Sequence, residues 1–169
     1  MRRKFFFIIP VAALLLVATT AQGQFEAGNW ELKLAGNGAN DQDFDGGTVA
    51  ITGSLGYFTS KEFEVGLRQS LNWSDSVEDT GDSIWSGDTR IFANYHFDMD
   101  RWQPYVGVFG GYIYGDVADD SWIGGPEVGV KYFVNSTTFI FAMAQYEFNL
   151  EESFSEGGWF YSAGIGFKW

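Results

Sequence analysis

Residues 159–169 read WFYSAGIGFKW, and their alternation decides the fold. Trp159, Tyr161, Ala163, Ile165, Phe167 and Trp169 fall on one parity; Phe160, Ser162, Gly164, Gly166 and Lys168 fall on the other. A period of two belongs to a β-strand, whose successive side chains point to opposite faces. The apolar face begins and ends on tryptophan. A strand that crosses a bilayer needs that profile, because amphipathic rings settle at both membrane interfaces.

The same period runs back through the chain. Val49, Ile51, Gly53, Leu55 and Tyr57 oppose Ala50, Thr52, Ser54 and Gly56. Phe63, Val65, Leu67, Leu71 and Trp73 oppose Glu64, Gly66, Arg68, Ser70 and Asn72, with Gln69 interrupting the apolar set. Segments 89–97, 127–134 and 140–149 alternate likewise, and Trp30, Leu32 and Leu34 oppose Glu31, Lys33 and Ala35. In 104–114 the parity is ambiguous, and Val106, Val108, Gly110, Tyr112 and Tyr114 are taken as the apolar face. About eight strands result, each near the ~10 residues of a tilted membrane-crossing strand. Connections alternate between short ones, near 59–61, 98–103 and 135–137, and longer acidic ones at 40–47, 74–88, 115–125 and 150–158. The expectation is an all-β, eight-stranded antiparallel up-and-down transmembrane β-barrel. Its girdle residues are Trp30, Tyr57, Trp73, Phe97, Trp159 and Trp169.

The remaining faces form the lumen. They bring Glu31, Lys33, Glu64, Arg68, Arg90, Glu127, Lys131, Glu147 and Lys168 into one narrow barrel, with Phe92, Phe133, Phe141 and Met143. Charges so confined must pair, since an unpaired buried charge loses its hydration. Strand direction puts Glu31 and Lys168 at one height, and Arg90, Glu127 and Glu147 together towards the far end. Cross-lumen ion pairs that block a water path are expected.

The chain starts MRRKFFFIIPVAALLLVATTAQGQ. A basic n-region, an apolar run from Phe5 to Ala18 and the small-x-small Ala21-Gln22-Gly23 read as a secretory signal peptide over residues 1–23, leaving 24–169 as the barrel domain. Losing Arg2, Arg3 and Lys4 takes the formal net charge from −12 to −15, which argues against nucleic-acid binding. The chain has no cysteine, so an exported protein here is held without disulfides.

Sites of chemistry are few. Asp41-Gln42-Asp43-Phe44-Asp45-Gly46 has the spacing of a calcium loop, but the twelfth position, where a bidentate Glu belongs, is Thr52. Asp and Gly are ordinary turn residues, and weak divalent bridging to phosphates is all the loop suggests. Gly28-Asn29-Trp30 imitates the start of lipocalins, the soluble barrels that carry lipophilic ligands, yet their pocket is apolar and the inward set here is polar. The only histidine, His96, lies two residues before Asp98; lipid A deacylases place a serine there, and without a hydroxyl nucleophile no esterase set assembles. Asn72-Trp73-Ser74 and Asn135-Ser136-Thr137 match glycosylation sequons. No catalytic, cofactor or metal residues are assigned.

The terminal strand resembles the last strand of bacterial outer-membrane proteins, which ends on Phe or Trp and is read by the barrel-assembly machinery. The whole pattern is similar to the small barrels of the OmpX and OmpA membrane-domain kind, without the peptidoglycan-binding domain that follows the barrel in OmpA. The resemblance implies a Gram-negative outer-membrane location and contacts with outer-membrane lipids and lipopolysaccharide. It also implies assembly through the strand ending at Trp169, and a non-enzymatic structural or interaction role through the acidic loops. Residues Asp41–Asp45, Ser74–Asp82, Asp116–Asp120 and Glu151–Glu156 would face outside. A narrow small-solute channel is the alternative; a lipid-modifying enzyme or a soluble lipocalin-like carrier fits less well.

Overall fold

A computed structural model describes residues 25–40, 47–75, 83–115, 121–151 and 154–169. Residues 1–24, which include the expected signal peptide, Asp41–Gly46 and the middles of the long acidic connections lie outside the described residues. Eight strands follow in order: β1 (Trp30–Asn40), β2 (Gly47–Phe58), β3 (Phe63–Asp75), β4 (Ser83–His96), β5 (Trp102–Gly115), β6 (Ser121–Phe133), β7 (Thr138–Asn149) and β8 (Gly158–Lys168). One 3-10 turn, Phe154–Glu156, precedes β8. Each strand pairs antiparallel with its sequence neighbour, and β8 returns to β1, closing the barrel. Closure leaves no outer edge strand, which is what lets a sheet stand in hydrocarbon.

The closing seam is short. β1 and β8 pair from Glu31–Lys168 to Ala35–Gly164, and Trp30 and Trp169 exchange backbone bonds of 3.0 and 3.1 Å below them. Beyond Ala35, β1 stays paired with β2, and above Gly164 β8 stays paired with β7. The β6–β7 ladder likewise skips Gly125 and Pro126, where proline has no N–H to donate.

The short turns are built by side chains. Asn135 Oδ1 accepts from the backbone N–H groups of Thr137 and Thr138, both at 2.9 Å, while Asp100 adopts a positive φ of 59°. An Asx-type turn and a left-handed Asp are both short-range solutions to reversing the chain.

The faces divide as the alternation requires. Outward, Ile51, Leu67, Ile91, Val108 and Ile140 are each more than half exposed, and aromatic rings rim the belt at both ends. A continuous apolar surface of this extent has no counterpart on ordinary soluble monomers. Inward, the aromatic and charged side chains interlock with glycines. A Cβ on Gly129 would strike the Tyr105 ring, and one on Gly66 would meet the Phe92 ring. An eight-stranded barrel is only just wide enough for its side chains, so each large residue needs such a gap. Val106 and Val108 face out while Tyr105 and Phe109 are buried, which settles the ambiguous parity of 104–114 as expected.

Candidate functional site

The lumen fills in layers, starting from the short-turn end. Phe25, just before β1, folds back into the mouth and is 2% exposed. Its ring stacks on Phe58 at 3.8 Å and 10°, and meets Phe133 edge-on at 5.3 Å. Phe133 in turn packs on Phe139 at 5.1 Å, so four rings occlude this end. Sequence reasoning missed this plug, because Phe25 lies outside every periodic segment.

The next layer is ionic. Lys131 Nζ lies 2.5 Å from Glu31 Oε2 and 3.3 Å from Glu64 Oε2. Lys33 Nζ lies 2.9 Å from Glu31 Oε1 and 3.5 Å from Glu64 Oε1. His96 Nε2 joins Glu64 at 2.9 Å. Two carboxylates and two ammonium groups thus form a closed square in which each charge faces two opposite ones. Lys131 also sits over the Phe25 ring at 4.9 Å, and Lys33 over Phe92 at 4.9 Å, so the negative ring faces add to the pairing.

Above it, Arg68 makes a two-pronged pair with Glu127, Nη1 to Oε2 at 2.8 Å and Nη2 to Oε1 at 3.1 Å. Gln145 Nε2 donates to the same Glu127 Oε2 at 2.9 Å, and Arg68 Nε donates to Ser54 Oγ at 3.3 Å. Such a fork is the strongest of side-chain pairings because both N–H groups are aimed at once. Nearer the long-loop end, Arg90 bridges Asp88 at 2.5 Å and Glu147 at 2.6 Å, beneath which Phe109 and Ile123 pack.

The expected pairing is therefore present with two corrections. Glu31 and Lys168 do stand opposite each other in register, but Glu31 turns inward to Lys33 and Lys131, which lie deeper and share Glu64 with it. Lys168 lies instead over the Phe25 and Phe133 rings at 5.5 and 5.9 Å. Glu127 pairs with Arg68 rather than joining Arg90 and Glu147. Asp88, a partner of Arg90, was missed because the alternation was read only from residue 89 onward. The lumen is also more aromatic than the expected inward set, through Phe58, Tyr105 and Phe109. Phe92, Phe133, Phe141 and Met143 are buried where they were placed.

Chemically this is a filled core. His96 is 1% exposed and bonds to Glu64, and among the described residues no serine or threonine hydroxyl reaches its ring. Nucleophile, base and an open substrate position do not come together there.

No protein-family model matches the chain, and no curated protein matches it either. Solved structures do. The outer membrane protein OprG of Pseudomonas aeruginosa superposes with a TM-score of 0.62 at 14% identity, covering 88% of this chain and 99% of that one. The N-terminal β-barrel domain of Pseudomonas aeruginosa OprF gives 0.57 at 21% identity, covering 85% and 98%. Neisserial surface protein A gives 0.55 at 15% identity, covering 83% and 96%. At these identities the likeness establishes the fold, which is the closed eight-stranded transmembrane barrel.

Proposed function

We propose that the protein is a non-enzymatic, non-conducting barrel of the Gram-negative outer membrane, which acts through the surface it presents at the long-loop end. The observation that carries this reading is the layered lumen. The Phe25 plug, the Lys131–Glu31–Lys33–Glu64 square and the Arg68–Glu127 fork lie one above another across the barrel. Water or solute would have to break paired, desolvated charges in each ionic layer to pass, and a buried pair resists that because either partner alone is costly.

The charge distribution supports where the function lies. After residue 24 the basic residues are Lys33, Lys61, Arg68, Arg90, Arg101, Lys131 and Lys168. Five stand at lumen positions of strands, and Lys61 and Arg101 stand in the short turns. The long connections carry Asp41, Asp43, Asp45, Glu78, Asp79, Asp82, Asp116, Asp119, Asp120, Glu151, Glu152 and Glu156 with no Lys or Arg between them. That end suits a basic partner, or lipopolysaccharide phosphates bridged by divalent cations. Outer-membrane lipids around the apolar belt, and the assembly machinery acting on the strand that ends at Trp169, complete the partners.

Planar-bilayer recording of the refolded protein tests the reading. No reproducible open events are expected; stable unitary conductance would replace it with a small-solute channel. Mass spectrometry of lipid A from cells with and without the protein is expected to show one pattern, and a changed acylation pattern would favour an enzyme.

A further inference from the structure

The outward face carries one polar feature that neither the lumen nor the loops account for. Between β3 and β4 the outward residues pair as Trp73–Trp85, Leu71–Gly87, Gln69–Thr89, Leu67–Ile91, Val65–Ala93 and Phe63–Tyr95. Gln69 and Thr89 are thus exposed deep in the apolar belt, roughly 10 Å below the tryptophan rung, given the rise and tilt of barrel strands.

They form a built cluster with Tyr114 of β5. Gln69 Nε2 donates to the Tyr114 hydroxyl at 2.7 Å and to the carbonyls of Asp88 and Ser70 at 2.8 and 3.0 Å. Thr89 Oγ1 donates to Gln69 Oε1 at 2.7 Å. The Tyr114 ring lies across Gly87, where a Cβ would meet its Cε2 at 2.8 Å, so the hydroxyl reaches down to Gln69. This leaves capacity facing the lipid. The tyrosine O–H has only the 3.4 Å contact to Thr89 to satisfy it, and Thr89 Oγ1 and Gln69 Oε1 keep lone pairs. Hydrocarbon offers these groups nothing.

Beside the cluster the surface has a knob and a hollow. Ile91 is 66% exposed, and its neighbour across β5 is Gly110, which itself pairs with Gly124 of β6. A Cβ on Gly110 would meet nothing closer than 3.9 Å, so the wall there is bare backbone beside open space.

We propose that this β3–β6 face is the docking site for a second copy of the chain within the membrane. A two-fold axis along the membrane normal, passing between Ile91 and Gly110, sets each Ile91 over the partner's glycine hollow. It also brings the two polar clusters alongside one another, so that the Tyr114 O–H of each can donate to the threonine or amide oxygen of the other in place of its long 3.4 Å contact. Such self-complementarity is what an isologous interface requires. Close backbone approach at small residues, with side-chain hydrogen bonds across, is how chains associate where no hydrophobic drive exists. The proposal rests on the membrane reading above, but a stably folded monomer in the bilayer would overturn it while leaving that reading intact.

The chain has no cysteine, so single thiols report on the interface directly. Ile91→Cys and Ile140→Cys, the latter on β7, are refolded separately into phosphatidylcholine–phosphatidylglycerol vesicles and oxidised. Folding of every variant is checked by its mobility on unheated gels. Ile91→Cys is expected to give disulfide-linked dimer in at least roughly tenfold excess over Ile140→Cys. Adding Gln69→Leu is expected to lower that yield roughly tenfold, since hydrogen bonds lost in symmetric pairs sum to about that factor. Tyr114→Phe, which removes only the donor, serves if Gln69→Leu does not fold. Equal yields at the two sites, or an Ile91→Cys yield that both cluster variants leave unchanged, would overturn the proposal.

Discussion

Glu127→Ala is the sharpest test of the buried lumen. Glu127 is 1% exposed and Arg68 2%, so no solvent discount applies. Removing the carboxylate strips both prongs from the guanidinium, leaving Arg68 with the single 3.3 Å bond to Ser54 Oγ, and it frees Gln145 Nε2 as well. The Phe92 ring, 5.0 Å from the guanidinium carbon, returns only a fraction of that. Breaking a buried pair at one partner costs roughly 3–5 kcal/mol, because an uncompensated charge remains. The double variant Arg68→Met/Glu127→Leu removes both charges at similar volume, and its net effect is expected within about 1 kcal/mol of zero. The assay is urea unfolding in lipid vesicles, followed by tryptophan fluorescence and by the shift in gel mobility. A single variant that loses less than about 1 kcal/mol would show that water reaches the pair. A double variant as damaged as the single one would show that packing, not charge, sets the cost.

Phe25→Ala is expected to destabilise the barrel by about 3 kcal/mol, at the lower end for a buried phenylalanine because the site lies at the mouth. It should leave the bilayer silent, since the ionic layers above Phe58 remain; open events would show that Phe25 is itself the barrier. Glu64→Ala is expected to cost more than Glu31→Ala in the same unfolding assay, because Glu64 alone also holds His96; the reverse order would refute the shared square. Protease added to intact cells is expected to cut within 41–46, 76–82, 116–120 or 151–156, and cutting after Lys61 or Arg101 would reverse the orientation. Gly129→Val is expected to abolish or greatly slow refolding, because its side chain must displace the Tyr105 ring; native-like refolding yields would mean that the ring moves freely.

The barrel was legible wherever one face of a strand meets hydrocarbon, because lipid enforces the period of two. Legibility failed at the long-loop ends. β4 begins at Ser83 and β6 at Ser121, yet Ser83–Asp88 and Ser121–Gly125 read as loop. Small residues and a proline, Gly87, Gly124, Gly125 and Pro126, break the apolar alternation there, although Trp85 and Trp122 still face outward. The lumen residues followed from parity, and so did the Arg90–Glu147 pair, but the other partners did not. Pairing across a barrel depends on strand stagger and side-chain reach, and alternation encodes neither. That is why Glu31 was matched to Lys168, its neighbour in register, instead of to Lys131, which approaches from the opposite wall. Phe25 carried no periodic signal at all.

The ionic lumen raises a question that stability alone does not answer, since apolar replacements of buried pairs are often neutral or better. Register supplies a reason. Because side chains alternate strictly, a slip by one residue in any strand turns its whole inward set outward. For β3 that would put Glu64 and Arg68 into the hydrocarbon, and for β6 Glu127 and Lys131. An Arg or Lys near the midplane of a barrel costs roughly 2–4 kcal/mol, with carboxylates somewhat less. A slipped β3 or β6 thus bears a penalty of several kcal/mol that an apolar lumen would not impose, while the correct register cancels it through the fork and the square. The three carboxylates Glu31, Glu64 and Glu127 and the three cations Lys33, Arg68 and Lys131 come from three strands, β1, β3 and β6, and every contact among them except Lys33–Glu31 runs between strands. Charges in the lumen thereby tie the registers of β1, β3 and β6 to one another, and they do so where hydrogen-bond ladders between strands could slide without losing bonds.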